Sequence, residues 1–178
     1  MQRTGTDRRR IISCVISVVL FVLLVLIDQI IKIYIKRTYE LANWKTVTVI
    51  EGFFNITYTT NSGAAWSFLS GKDWAQTFFK ILTSVALIVF IILFIYATKK
   101  NKRLMRFSFV LLSAGAVGNF IDRLAYNYVV DFLSFRFGSN SFPVFNVADS
   151  LMTIGIILLI IELLFVDSDA LFKKKKDK

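Results

Sequence analysis

Long apolar runs alternate with short polar connections along this chain, and four runs reach the roughly 20 residues that a helix needs to cross a bilayer. The four candidate spans cover about residues 11–35, 78–97, 104–125 and 144–166. Backbone amides in hydrocarbon must pair within their own segment, so each run is predicted to form an α-helix. The pattern predicts a membrane all-α four-helix bundle, folded as a single domain over residues 1–178.

A different pattern occupies the connection between the first and second spans. Residues 46–49 and 54–59 alternate between polar and apolar side chains and are rich in β-branched and aromatic residues, which is typical of β-strands. We therefore expect a small β-sheet within about residues 40–70. Trp44, Trp66 and Trp74 lie in or beside this region, as expected for side chains at the lipid headgroup level. Alternation alone favours a solvated cap over a cradle for an extended peptide.

The composition supports a membrane protein and restricts its chemistry. Hydrophobic residues make up 56% of the chain, against about 45–50% in a soluble domain. The chain contains no histidine, which excludes histidine-based zinc sites and Ser–His or Cys–His catalysis. Its single cysteine, Cys14, can form neither an internal disulfide nor a cysteine-rich metal site, and we expect it to be an inert packing residue. Catalysis would have to use Asp, Glu, Lys, Ser, Tyr or backbone groups, and no cofactor is expected.

The basic residues predict the orientation of the bundle. Fourteen of the 22 Lys and Arg residues lie in the first ten residues, in the connection over residues 99–106 and in the tail over residues 167–178. Basic segments remain on the cytoplasmic side, so both termini are predicted to be cytoplasmic and the β region to be extracytoplasmic. The lysine-rich tail is better explained by this topology and by contact with anionic lipid than by nucleic acid, which is not expected as a partner.

Four aspartates are predicted to reach one depth near the outer interface, where ionisable groups are costly and often functional. They are Asp28, Asp122, Asp131 and Asp149. Lys32 follows Asp28 by four residues and can pair with it on one helix face. Arg123 directly follows Asp122 and is the expected partner of that carboxylate.

Asp131 and Asp149 are left without an obvious cationic neighbour in the sequence. Two carboxylates in a partly dry site do not readily ionise together, so one can act as a general base on water while the other donates a proton. This chemistry hydrolyses an amide without metal or histidine. The alternative is structural: each aspartate caps a helix or pairs with a base, and Asp149 could be the N-cap of the fourth span. Spacing alone leaves that alternative open, and for Asp28 and Asp122 it is favoured.

Five short motifs add to this spacing. They are D-Q-x-x-K at residues 28–32, N-x-G-A-A-aromatic at 61–66, G-N-x-x-D-R at 118–123, V-V-D-F at 129–132 and F-N-x-A-D-S at 145–150. Each motif alone is a weak signal, but in this order on a four-span frame they resemble the lipoprotein signal peptidases, also called signal peptidase II. The resemblance covers about residues 11–166 and leaves out the basic ends.

The resemblance implies a metal-independent aspartic endopeptidase of the bacterial cytoplasmic membrane, with its active site near the outer leaflet. Such enzymes remove the signal peptide, at the lipobox cysteine, from prolipoproteins that already carry diacylglycerol. The implied catalytic pair is Asp131 and Asp149. The residues implied to contact substrate are Asn61, Gly63, Asn119, Arg123 and Asn146, and those implied to support the site are Asp28, Lys32 and Asp122. The outer sheet would then serve as a cradle for the substrate.

The resemblance also implies partners, and it has one departure. Membrane lipids surround such an enzyme, cyclic peptide antibiotics such as globomycin target the family, and a monomer is expected. Asn127 stands where many members carry glycine. Asparagine tolerates the left-handed backbone better than most residues, so the departure changes little.

Two other functions compete with this one. A transporter could use the intramembrane aspartates, but such sites lie near the bilayer midplane in repeated halves, and no repeat is visible in the sequence. A Ser–Lys peptidase could pair Ser150 or Ser67 with Lys32, but Asp28 would keep that lysine charged and make it a poor base. Glu162, near the inner end of the fourth span, is expected to snorkel or to pair with the lysine tail.

Overall fold

The computed structural model describes residues 5–42, 46–63, 69, 71–72 and 74–166, without the side chains of residues 5–7 and 41. This part of the chain contains four long helices: α1 (Gly5–Ala42), α2 (Ala75–Lys99), α3 (Arg103–Tyr126) and α4 (Val147–Ile161), which continues as a π-helical turn (Glu162–Val166). Each helix is long and apolar enough to cross a membrane. The predicted four-helix fold is therefore confirmed. The predicted basic tail, Trp44 and Trp66 lie outside the described residues.

Helix α1 extends beyond its predicted span at both ends. Its 38 residues make a helix about 57 Å long at 1.5 Å per residue, whereas the hydrocarbon core of a bilayer is about 30 Å thick. The apolar run marks only the part that fits in hydrocarbon, and no proline interrupts the polar flanks. The outer end of α1 consequently reaches the sheet, where Ile35 and Tyr39 pack against Phe132.

The sheet has four antiparallel strands in the order β1 (Thr46–Ile50), β2 (Phe54–Asn61), β3 (Val129–Phe137) and β4 (Asn140–Ser141). Its first two strands confirm the β region predicted between the first two helices. The other two strands come from the connection between α3 and α4, which the alternation did not predict. The register between β2 and β3 places Thr59 opposite Asp131 and Asn61 opposite Val129. The end of β2 therefore lies beside the start of β3.

Helix α3 is the buried element of the bundle. In its most apolar stretch 67% of the residues are buried inside the protein, against 6% for α1, 6% for α2 and 11% for α4. Glycines let the neighbouring helices approach it closely: a β-carbon on Gly115 would overlap the carbonyl oxygen of Ala148, and one on Gly155 would overlap Leu112. The small residues of α3 are thus a packing surface, as expected.

Two helix ends bear on expectations from the sequence. Asn127 closes α3 in the left-handed conformation, with φ of 60°, and its backbone N–H donates to the carbonyl of Arg123. Asparagine therefore supplies the backbone conformation for which glycine is common.

The expectation that Glu162 snorkels is wrong, because this side chain is only 3% exposed. It lines a cavity beside Lys102 and Arg103, in and next to the connection between α2 and α3. The lysine tail that was its alternative partner lies outside the described residues.

Candidate active site

A buried lysine lies at the centre of the charged groups that α1 and α3 share. Lys32 Nζ lies 2.9 Å from Asp28 Oδ2 and 3.0 Å from Asp122 Oδ2, and all three side chains are at most 2% exposed. Lys32 Nζ also donates to Asn119 Oδ1 at 2.8 Å. The predicted pairing of Asp28 with Lys32 is confirmed.

The predicted pairing of Asp122 with Arg123 is wrong. Successive residues of an α-helix point about 100° apart, so the two side chains leave α3 in different directions. Asp122 faces α1 and Lys32. Arg123 faces α2, where its guanidinium lies 5.1 Å from the ring centre of Phe79.

The two buried carboxylates also hold the backbone of the neighbouring elements. Asp28 Oδ1 accepts from the backbone N–H of Ala148 at 2.9 Å, in the first turn of α4. Asp122 Oδ2 accepts from the backbone N–H of Val130 at 3.0 Å, at the start of β3. The side chain of Gln29 adds a bond to Asp122 Oδ1 at 3.1 Å. These contacts fix the starts of α4 and β3, which carry Asp149 and Asp131.

Asn146 begins α4 and contacts both members of the aspartate pair, Asp131 and Asp149. It is the N-cap residue: its Oδ1 accepts from the backbone N–H of Asp149 at 2.9 Å, and Asp149 Oδ2 accepts from the backbone N–H of Asn146 at 3.1 Å. This reciprocal arrangement is a capping box. The alternative in which Asp149 is itself the N-cap is therefore wrong, since Asp149 is the third residue of the helix. The side-chain amide of Asn146 donates to Asp131 Oδ1 at 2.7 Å.

Asn119 links the buried lysine to Asp149. Its Oδ1 accepts from Lys32 and, at 3.0 Å, from the side-chain amide of Asn146. Its own Nδ2 donates to Asp149 Oδ1 at 2.8 Å. Both oxygens of Asp149 are thus hydrogen-bonded, one to a backbone N–H and one to an amide that is polarised by an ammonium group.

Asp131 lies in a drier environment than Asp149. It is 2% exposed, and its Oδ2 accepts from Asn61 Nδ2 at 3.0 Å. Burial, and then the charge of Asp149, raise the pKa of Asp131 to about 7, against the opposing effect of the bonds from Asn61 and Asn146 and the charge of Lys32. At neutral pH this carboxyl therefore exchanges between its protonated and ionised forms.

Arg123 and Gly63 complete the set of residues predicted from the sequence. Arg123 Nη2 donates to the carbonyl oxygen of Gly63 at 3.1 Å. The backbone N–H of Gly63 donates in turn to Asn61 Oδ1 at 2.9 Å. All five sequence motifs thus contribute at least one side chain or backbone group to this connected network.

Gln29 and Gln76 contact the site, although the sequence predicts no role for either residue. Gln29 stands inside the D-Q-x-x-K motif, but nothing in the sequence indicates that its side chain contacts Asp122 on α3. Gln76 stands at the start of α2, outside every motif, and its side-chain amide donates to the carbonyl oxygen of Ser62. No sequence signal could have found it, because the contact depends on how α2 packs against the loop after β2.

The contacts of Lys32 disfavour a Ser–Lys mechanism. Its ammonium group contacts Asp28, Asp122 and Asn119, while the hydroxyl of Ser150 donates to the carbonyl of Asn146. Ser67 lies outside the described residues. Within the described part of the chain, no group of three or more Asp, Glu or Cys side chains is arranged to hold a metal ion.

Comparisons with known proteins agree on one family. A family model described as signal peptidase (SPase) II matches residues 20–165. A lipoprotein signal peptidase from Staphylococcus aureus (strain JH9) is 43% identical over 161 residues, which is 90% of this chain and 93% of the relative. A bacterial membrane enzyme solved in meso at 2.3 Å is 41% identical with a TM-score of 0.69, covering 91% of this chain and 93% of the other. A second, solved at 1.9 Å, is 42% identical with a TM-score of 0.65, covering 84% and 92%.

Proposed function

This chain belongs to the signal peptidase II family, and we propose that it works by metal-independent aspartic catalysis with Asp131 and Asp149 as the catalytic pair. It is a multi-pass membrane peptidase that removes signal peptides from lipoproteins. The observation that supports the pair best is the bridging position of Asn146, which holds Asp131 through its side chain and Asp149 through its backbone N–H. Two carboxylates held by one residue suit a shared proton.

The surroundings of the two carboxylates suggest which one carries the proton. Asp149 is less buried than Asp131, and both of its oxygens accept hydrogen bonds, one from the amide of Asn119 and one from the backbone N–H of Asn146. Asp131 is more deeply buried, and its raised pKa favours its protonated form. We therefore assign Asp149 as the general base and Asp131 as the general acid.

The reaction follows from these roles. Asp149 takes a proton from water as the water oxygen bonds to the scissile carbonyl carbon, while Asp131 gives its proton to the carbonyl oxygen. As the tetrahedral intermediate collapses, Asp131 recovers that proton and the proton held by Asp149 passes to the leaving amine. The carbon–nitrogen bond breaks, and both carboxyls return to their starting protonation states.

The remaining predicted site residues divide into three groups. The polar side-chain atoms of Asn119 and Asn146 are all engaged within the protein, so both act as positioning residues for the pair. Gly63 and Arg123 form the substrate-contacting group, because Arg123 Nε is buried without a partner while its Nη2 holds the carbonyl of Gly63. Asn61 lies between this group and the pair, since its side chain bonds both to Asp131 and to the backbone N–H of Gly63. Asp28, Lys32 and Asp122 support the site through the contacts that fix α4 and β3.

The membrane completes the proposal. The aspartate pair lies at the end of the bundle that carries the sheet, opposite the basic connection over residues 99–106. With both termini cytoplasmic, this end faces the outer leaflet of a bacterial cytoplasmic membrane, and the substrate is a prolipoprotein with diacylglycerol on its lipobox cysteine. The enzyme acts as a monomer among membrane lipids, and cyclic peptide antibiotics such as globomycin would occupy the substrate site.

One experiment tests the catalytic assignment. The purified protein should cleave a diacylglyceryl-modified prolipoprotein, and the Asp131→Asn and Asp149→Asn variants should not, although both should remain folded because the changes are nearly isosteric. Ser150→Ala is the matched control and should retain activity. Full activity in either aspartate variant would refute the assignment. Loss of wild-type activity with EDTA that zinc restores would refute the metal-independent mechanism.

A further inference from the structure

Two buried polar atoms of opposite kind lack a hydrogen-bond partner beside the candidate active site. One is an acceptor, Oε1 of Gln76, and the other is a donor, Nε of Arg123. In the described part of the chain the only other buried side-chain atom without a partner is Oγ1 of Thr98, at the far end of α2. Buried polar groups are nearly always paired, so an unpaired acceptor and an unpaired donor at one site call for an explanation.

Both atoms belong to side chains that hold the same short loop. The amide nitrogen of Gln76 donates to the carbonyl oxygen of Ser62, and Arg123 Nη2 donates to the next carbonyl, that of Gly63, at 3.1 Å. The loop follows Asn61, whose side-chain amide donates to Asp131. The unpaired atoms therefore belong to two side chains that hold consecutive carbonyls of the chain segment that contacts the catalytic pair.

The packing of α2 against α3 supports the same arrangement. Gln76 and Phe79 are three residues apart on α2 and share a face of that helix. The ring of Phe79 lies 5.1 Å from the guanidinium carbon of Arg123. The helix face that bears Gln76 is thus the face directed at Arg123.

An extended peptide is the ligand that satisfies both atoms. Each of its residues presents one N–H donor and one C=O acceptor, whereas the diacylglyceryl group presents ester carbonyls as acceptors but no donor for Gln76 Oε1. We infer that Gln76 is a substrate-binding residue, which accepts a backbone N–H of the signal peptide through Oε1 while Arg123 Nε donates to a backbone carbonyl of the same strand. This inference rests on the proposed function and adds to it a residue that lies outside every motif of the family resemblance.

A double-mutant cycle between enzyme and substrate tests the inference. Lipidated substrates are prepared in which one backbone amide at a time, excluding the scissile bond, is replaced by an ester, which removes a single N–H. The values of kcat and KM are measured for wild type and for Gln76→Met. For the wild type, one ester should lower kcat/KM about tenfold, which corresponds to about 1.4 kcal/mol. Gln76→Met should lower kcat/KM by a similar factor, mainly through KM, and the same ester should then have no further effect.

Controls separate binding from a structural role. If Gln76 served only to hold the loop through Ser62, its loss and the ester would act additively at every position, and that result would overturn the inference. Thr77→Val, at the next and exposed position of α2, should show the full ester effect. Gln76→Met also loses the bond to Ser62, so it should unfold at a slightly lower temperature than wild type yet remain folded under assay conditions. A folded variant with unchanged kcat/KM would also overturn the inference.

Failure of the inference is distinguishable from failure of the proposed function. Inactive Asp131→Asn and Asp149→Asn variants combined with additive cycles would overturn the role of Gln76 alone. Active aspartate variants would overturn the catalytic assignment whatever the cycles show.

Discussion

Asn146 donates its side-chain amide to Asp131 at 2.7 Å, while Asp149 accepts the backbone N–H of the same residue at 3.1 Å. One helix cap therefore sets the relative position of two carboxyls that come from different elements, β3 and α4. The cap also makes the start of α4 part of the active site, since the capping box and the aspartate pair share their atoms. The helix cap and the placement of the aspartate pair thus depend on the same side chain.

Two substitutions at Asn146 should separate these roles. Serine is also a good N-cap but lacks the amide that donates to Asp131, Asn119 and the carbonyl of Val130. Asn146→Ser should therefore keep the cap, lose about 1–3 kcal/mol of stability through the unpaired acceptors, and lower kcat about 100-fold through misplacement of the general acid. Asn146→Ala loses the cap as well and should lose about 1 kcal/mol more stability. Thermal unfolding and cleavage assays on both variants check this. Equal activity of wild type and Asn146→Ser would contradict the bridging role.

The pKa of Asp131 predicts how stability depends on pH. Its folded-state pKa of about 7 lies above the ordinary value of 3.8, so between these values the folded protein binds more protons at this site than the unfolded chain does. Stability should therefore fall as pH rises from about 4 to 7. Asp131→Asn removes this effect, and it should be more stable than wild type at pH 8 but not at pH 4. Thermal unfolding at the two pH values measures it; a pH-independent difference would contradict the raised pKa.

The groups around Asp131 also predict the pH dependence of the reaction. A general acid must be protonated, so kcat/KM should decline as pH rises above about 7, where Asp131 ionises. Asp149, Lys32, Asn61 and Asn146 face this carboxyl and set that limit together. Removing the bond from Asn61, which favours the ionised form, should move the decline to higher pH in Asn61→Ala. An unchanged or lowered upper limit in that variant would contradict the assignment of Asp131 as the acid.

The charge cluster around Lys32 gives a ranking of stabilities. Asp122→Asn leaves Lys32 with Asp28 and Asn119 as partners, and it should cost about 1–3 kcal/mol, mainly through the weakened bond to the backbone of Val130. Lys32→Met leaves two buried carboxylates without a cation and should cost about 3–5 kcal/mol. Denaturant unfolding in detergent compares the two. If Asp122→Asn were the more damaging change, the cluster would not be centred on the lysine.

Which of these features the sequence could predict depended on the range of the interaction. The pairing of Asp28 with Lys32 follows from helix geometry alone and was predicted correctly. The partner of Asp122 was not, because adjacent helix residues point in different directions and the true partner lies on another helix. The strand Val129–Phe137 was missed since its first four residues are all buried, which removes the alternation that marks a half-exposed strand.

The exact start of a helix was equally decisive. Asn146 and Asp149 are both good capping residues, and only the boundary of α4 at Val147 decides that the first is the cap and the second its partner. The apolar run began at residue 144 in the sequence and could not resolve this. The contacts of Gln76 depend on packing between α2 and the loop after β2 and leave no trace in the sequence.

The final prediction concerns what the enzyme recognises and why the lipid matters. The outer sheet has only four strands and the described chain has no further extracytoplasmic domain, so discrimination by substrate side chains is expected to be modest. Burial of acyl chains in the bilayer contributes about 0.8 kcal/mol per methylene, and it also fixes the depth of the lipidated cysteine. That depth places the scissile bond level with Asp131 and Asp149, so the lipid improves alignment at a bond it does not touch.

A diacylglyceryl-modified substrate should therefore be cleaved far faster than the same peptide with an unmodified cysteine. The two substrates are compared in one membrane mimic at concentrations corrected for partitioning. Equal rates would mean that the lipid takes no part in recognition, even if both aspartates prove catalytic.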